Sequence, residues 1–335
     1  MALHQTAGFW PVAAAVGGNA IVTVSKLVAA LASGSSSMLS EAVHSFADTI
    51  NQILLLVGLR RSLKKADDAF EYGYGRERFF WALISACGVF FVGAGVTAYQ
   101  GIAALLHPEH IEGSWLVVGV LALSFAIELY TLYIAANSMR RSFPDSTWYE
   151  RLHEADPMTL AVCLEDAVAV FGVCIAALAI GLSHITGNPV WDALGSLIIS
   201  GLLAATAVTL VIKNRTYLLG HSIPEDIQDE VVAMLEAEPA IEKVIDFKSA
   251  ILGWGVYRIK CEVEFNGTAL FREAYKQRSM KDEFEAVQGD FEEFKRFLVD
   301  YTDRIPRIMG QKIDEIERRL REKHPSLRHI DIEVN

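Results

Sequence analysis

Three residues in one short stretch, Glu41, His44 and Asp48 of SMLSEAVHSFADTINQ, bring carboxylate and imidazole groups into otherwise apolar surroundings. On a helix His44 and Asp48, four apart, stack one turn above each other on a single face, and Glu41 lies near the same stripe. A second stretch, AVCLEDAVAVFG, supplies Glu165 and Asp166. An ionised group at bilayer depth costs several kcal/mol unless it is paired, neutralised or bound to a cation, so each is a candidate for function. Imidazole with carboxylate oxygen is a donor set for zinc, and also for manganese, cobalt, nickel or ferrous iron. A hydrogen-bonded pair that fixes helix packing is the alternative for His44 and Asp48. Glu128, Lys26 and Asp192 are further ionisable residues in apolar stretches; for Glu128 and Lys26 an interhelical ion pair or a snorkelling lysine competes with any role in transport.

The elements that must position these groups are membrane spans. The chain has 335 residues, 52% of them hydrophobic and 21% charged, and the apolar excess lies before residue 213. Stretches long enough to cross about 30 Å of hydrocarbon occur at about 8–32, 37–59, 79–105, 114–138, 158–184 and 189–212. Two connections, GSSS from Gly34 and the turn at Thr186, Gly187, Asn188 and Pro189, are short enough to force antiparallel neighbours. The N-terminus lacks the basic start and small-residue cleavage site of a signal peptide, so the first segment reads as a retained span. Arg60, Arg61, Lys64, Lys65, Arg76 and Arg78 fall between spans two and three, and Arg140, Arg141 and Arg151 between four and five. The positive-inside rule then puts both termini on the cytoplasmic side, or the matrix side of an organelle.

The expected organisation is an all-α six-helix transmembrane domain over 1–213 and a soluble, cytoplasmic α+β domain over 214–335. The latter reads as αββαβ: a helix at about 223–237, strands at 241–250 and 255–266, a helix at about 303–323 and a strand at 327–334. A charged helical insertion occupies about 267–301. The net charge of −11 leaves no basic stripe for a phosphate backbone, which argues against a nucleic-acid partner. Cys87, Cys163, Cys174 and Cys261 have no CxxC spacing and predict no disulfide framework.

In topology and motifs the chain resembles the cation diffusion facilitator family, and within it the zinc transporter nine-like branch. The resemblance rests on Ser37–Gln52, on ADDAFEYGYGRERF (66–79), LLHPE (105–109), LEDAVAVFGV (164–173) and GNPVWDALGSL (187–197), and on RHIDIEV (328–334). It implies a ferredoxin-like C-terminal domain, a homodimer in a lipid bilayer, no resident cofactor, and export of zinc or a similar dication in exchange for protons. By position it implies a transport site of His44, Asp48 and Asp166, with Val162 where a fourth ligand is expected. Valine cannot ligate, which leaves water, Glu165, Cys163 or Glu41 for that place. A second site in the loop between spans two and three is expected to be absent, because Phe70 and Tyr74 stand where histidines would accompany Asp67. In the C-terminal domain His329 and Asp331 share one face of the last strand, too few donors for a two-metal centre.

Two other classes compete. An intramembrane metalloenzyme lacks support, since there is no HExxH pairing of zinc histidines with a general base, and the chain is read as a non-enzyme. A metal-binding scaffold or receptor that has lost transport is made conceivable by Val162. The short N-terminus favours a bacterial inner membrane over the mitochondrial inner membrane as location.

Overall fold

A computed structural model of the chain describes residues 9–33, 36–107, 115–142, 147–188 and 190–335. Within these segments the side chains of Glu41, His44, Asp192 and some of their neighbours lie outside the described residues. The chain divides into two compact units, Met1–Leu219 and Gly220–Asn335.

The first unit is helical. Its long helices are α1 (Phe9–Ser33), α2 (Ser36–Ser62), α3 (Glu77–Gly88) continued through a π-helical turn (Val89–Ala94) into α4 (Gly95–Leu106), α5 (Trp115–Ser142), α7 (Pro157–Thr186) and α8 (Val190–Leu219). The short α6 (Trp148–Glu154) lies in the connection before α7. Among the described residues four segments are long and apolar enough to cross a membrane: Phe9–Val28, Glu77–Leu106, Pro157–Ile175 and Ala193–Leu219. At 27 and 28 residues α2 and α5 are each about 40 Å long, also sufficient in length.

Local chemistry punctuates these helices. Asp156 caps α7, its carboxylate accepting from the Thr159 amide, and Pro157 follows in the first turn, where its missing N–H costs nothing. Gly187 ends α7 at φ 67°, a left-handed conformation that glycine adopts without a Cβ penalty. Thr147 and Glu150 form a capping box that starts α6, an element not anticipated from sequence. The π-helical turn disturbs carbonyl pairing in the third span, and Ser200 of α8 donates to the Ala94 carbonyl at 2.9 Å.

Helices meet closely where a side chain is missing. A Cβ on Gly58 of α2 would lie 2.6 Å from Cβ of Trp81 on α3, and one on Gly195 of α8 would lie 2.7 Å from Cβ of Ala179 on α7. The core beneath the ends of α2 and α7 joins Leu55, Leu59, Ala82, Met139, Met158, Val162 and Leu210. Across it runs a buried ion pair: an Arg78 guanidinium nitrogen lies 2.6 Å from Oδ1 of Asp156, with both side chains at most 4% exposed. Arg78 therefore serves as an internal tie between α3 and the start of α7 as well as a cation of the basic loop. Arg151, also counted in that charge pattern, is buried with its guanidinium over the Trp148 ring.

The second unit holds α9 (Glu225–Glu236), β1 (Ile241–Gly253), β2 (Val256–Phe265), α10 (Gly267–Ala274), α11 (Met280–Val287), α12 (Phe291–Lys323) and β3 (Leu327–Val334). The sheet order is β1-β2-β3, antiparallel in the first pair and parallel in the second. Ile259, Cys261 and Val263 alternate into the core, as a strand with one covered face requires. Val231 and Leu235 of α9 and Ile316 and Leu320 of α12 are buried on the helical side.

Two boundaries differ from the sequence reading. The last helix of the first unit continues through Lys213 to Leu219, because nothing before Gly220 breaks it. Residues 267–301, expected as a separate insertion, hold α10, α11 and the first third of α12, which starts at Phe291 rather than near 303. Asp290 caps that start by accepting from the Glu292 and Glu293 amides, and the helix runs on through Pro306. The proline removes a single interior hydrogen bond, and the helix tolerates its loss.

Candidate metal transport site

The site is assembled from α2, α5 and α7. Asp48 lies on α2, a turn before Asn51 and Gln52; Glu128 lies on α5; Glu165 and Asp166 lie on α7. Asp166 is buried, 4% exposed, beside Thr131 and within electrostatic reach of Glu128 and Asp48. Its Oδ2 is buried with no hydrogen-bond donor among the described residues. Glu165 in turn feels the charges of Asp166 and Asp48. Four carboxylates from three helices thus share one region of the helical unit, where like charges repel and protons or cations balance them.

Glu165 differs from Asp166 in its partners. Asn51 donates to its Oε1 at 3.0 Å and Gln52 to its Oε2 at 2.6 Å. Asn51 is oriented in turn by Ser85 of α3, whose hydroxyl donates to Oδ1 at 2.7 Å. The Ser85–Asn51–Glu165–Gln52 network therefore ties α3, α2 and α7 together immediately beside Asp48 and Asp166. Each Glu165 oxygen accepts one amide hydrogen bond, which fixes the orientation of the carboxylate and leaves a lone pair on each oxygen.

Of the residues read from sequence as metal ligands, Asp48 and Asp166 are brought together here with Glu165. Glu41 and His44 lie on α2, and their side chains are outside the described residues. Val162 is fully buried in the apolar core and Cys163 is 9% exposed. Lys26 is buried on α1, the helix packed against both α2 and α5, and does not snorkel outward. Among the described residues no group of three or more His, Cys, Asp or Glu is drawn tightly enough to hold a metal in this arrangement.

Sequence reasoning passed over Asn51, Gln52 and Ser85. The signal was present, since two adjacent amides three and four residues after Asp48 are costly in a span unless they bond across helices.

In the connection between α2 and α3, Asp67 is fully engaged. Lys64 Nζ at 2.7 Å and the Tyr74 hydroxyl at 2.8 Å donate to its Oδ2, and the Ala69 and Phe70 amides donate to Oδ1. These donors hold its carboxyl down at about 2. In the second unit Asp331 accepts two hydrogen bonds from Arg258, at 3.1 and 2.8 Å. Burial and the neighbouring Arg258 keep the His329 imidazole below its ordinary range.

Comparison with known proteins identifies the family. The sequence profile described as the cation efflux transmembrane domain matches residues 12–219. The chain is 38% identical over 316 residues to a Mus musculus protein named proton-coupled zinc antiporter SLC30A9, mitochondrial, a match covering 92% of this chain and 55% of that protein. It is 33% identical over 319 residues to metal tolerance protein C4 of Arabidopsis thaliana, covering 90% of this chain and 68% of the plant protein. Cation-efflux pump FieF of Shewanella oneidensis is 24% identical over 258 residues, 76% of this chain and 81% of the pump. The chain thus spans about half the length of the mouse relative.

Proposed function

The chain belongs to the cation efflux family, the cation diffusion facilitators, and from that premise we propose that it exchanges zinc for protons across the membrane in which it is embedded. The observation that carries this reading is Asp166, a buried carboxylate with an undonated oxygen facing the charges of Asp48 and Glu128. An acceptor without a donor among other acceptors is suited to a cation. The resemblance to a named zinc antiporter over 92% of the chain supports zinc as the cargo. Manganese, cobalt, iron and nickel suit the same donors less specifically.

In this reading α1, α2, α3 with α4, α5, α7 and α8 are six spans over 1–213, extended by the tail of α8. The second unit is a ferredoxin-like domain facing the cytoplasm or matrix, and two copies form a homodimer. His44, Asp48 and Asp166 hold the dication. His44 would supply the nitrogen donor from one turn before Asp48.

The chemistry follows from ligand protonation. A dication enters only as the carboxylates and imidazole give up protons, and protons arriving from the other face compete it off. Tilting of the helices that carry these ligands would expose the site to one face of the membrane at a time. That is the two-state motion an alternating-access carrier needs.

Val162 provides the test of this ligand set. It lies one turn before Asp166 on α7, and a histidine there would add a nitrogen donor on the same face. Val162→His is expected to tighten zinc by about tenfold or more, a change of the size seen when a metal's surroundings are altered. Manganese should gain less, since it stands low in the order of affinity for nitrogen donors. Calorimetry at fixed pH on purified protein measures both. Val162→Leu serves as the control for overpacking, which costs about 1–3 kcal/mol in a filled core. A folded Val162→His protein with unchanged zinc affinity would contradict a vacant fourth place beside Asp166 on this face of α7.

A further inference from the structure

A cleft of about 540 Å³ opens between the end of α2 and the start of α3, away from the carboxylate site, lined by Val57, Arg60, Arg61, Lys64, Tyr74 and Glu77. We propose that this cleft binds the headgroup of an anionic phospholipid.

Charge comes first. Two of the three cations are already balanced: Lys64 by Asp67 at 2.7 Å, and Arg61 by Glu77 at 3.7 Å. Arg60 is exposed and has no ion-pair partner among the described residues. The lining therefore carries one positive charge in excess, which matches a phosphodiester with its single negative charge. A guanidinium offers that group paired N–H donors in a fixed fork, and Arg61 and Lys64 stand beside it with further donors.

Position argues for a lipid source. Arg60 and Arg61 occupy the last turn of α2, and Glu77 begins the apolar segment Glu77–Leu106, so the cleft sits at the boundary between polar loop and span. Trp81 touches two of the lining residues, with Arg61 5.5 Å above its ring and its indole N–H donating to Glu77 at 2.7 Å. That is the amphipathic placement tryptophan favours at a membrane interface. Below the cations the surface turns apolar. Val57 lines the cleft, Ile53 one turn earlier on α2 is 42% exposed, and Ile84 on α3, three residues after Trp81, is 38% exposed. A headgroup in the cleft would thus leave its acyl chains against exposed aliphatic side chains, whereas a free anion would gain nothing from them. Basic loops also mark the membrane face whose leaflet is enriched in anionic lipid.

Native mass spectrometry of the purified full chain, exchanged into mixed micelles with phosphatidylglycerol or phosphatidylcholine, tests the assignment without reference to zinc transport. Wild type is expected to retain phosphatidylglycerol in preference to phosphatidylcholine. Arg60→Gln should weaken that retention about fivefold, the value of one surface cation near a charged headgroup. Arg60→Lys should keep most of it. Inorganic phosphate at millimolar concentration should not displace the lipid. Equal retention of the two lipids, retention unchanged in Arg60→Gln, or displacement by inorganic phosphate would each overturn the proposal. Arg60 is exposed and outside the core, so the variant's folding is checked simply by an unaltered melting curve.

Discussion

Asp166→Asn is expected to abolish zinc transport in a protein that still inserts and folds. The substitution keeps the shape of the side chain and its place beside Thr131, and it removes the charge that the buried oxygen presents to a dication. Loss of a group that merely supports a metal ligand costs about 10–100-fold, so loss of the ligand itself should exceed that range. Folding should survive, because removing one of several repelling carboxylates relieves the apo protein rather than straining it. Flux by stopped-flow zinc fluorescence, with thermal melting in detergent as the companion, reads both effects. Melting is expected to stay level or rise as flux vanishes. Asp166→Asn with wild-type flux would remove Asp166 from the transport site.

The second large effect concerns stability. Arg78→Ala leaves the Asp156 carboxylate buried without its cation, and breaking such a pair costs about 3–5 kcal/mol. The damage falls on α7, since Asp156 is also the cap from which that helix starts, ten residues before Asp166. Replacing both partners, as Arg78→Met with Asp156→Asn, should recover most of the loss, because an apolar side chain fills the space and asparagine still caps the helix. Thermal melting of the three proteins gives the comparison. Equal melting for Arg78→Ala and wild type would mean that the ion pair contributes nothing to holding α3 against α7.

The helices were legible because their ends are written locally: Asp156 and Pro157 start α7, and Gly187 stops it. The end of α8 was placed too early because hydropathy falls at Lys213, although the backbone has no reason to leave the helix until Gly220. The helix start expected near 303 falls where the chain is already three turns into α12.

At the site, Asp48 and Asp166 were readable from the cost of a carboxylate in hydrocarbon, which any single sequence exposes. Their neighbours were not. Asn51 and Gln52 carry no charge, and their partner Glu165 is more than a hundred residues away, so their significance appears only when α2 and α7 are set side by side. Arg78 was counted as a loop cation for the same reason. Its partner Asp156 is contributed by another helix, and a basic residue near a span end looks identical whether it faces water or a buried carboxylate.

The measurement that bears most directly on zinc–proton exchange is made on wild-type protein in sealed proteoliposomes, with one dye reporting zinc and another pH inside the vesicle. With the lumen more acidic than the bath, external zinc is expected to enter faster than without a gradient, and the lumen should become more alkaline as it does so. Reversing the gradient should slow zinc entry, and protein-free vesicles should show neither signal. Folded, reconstituted protein that moves no zinc, or moves it at one rate whatever the pH gradient and without any proton signal, would contradict the account.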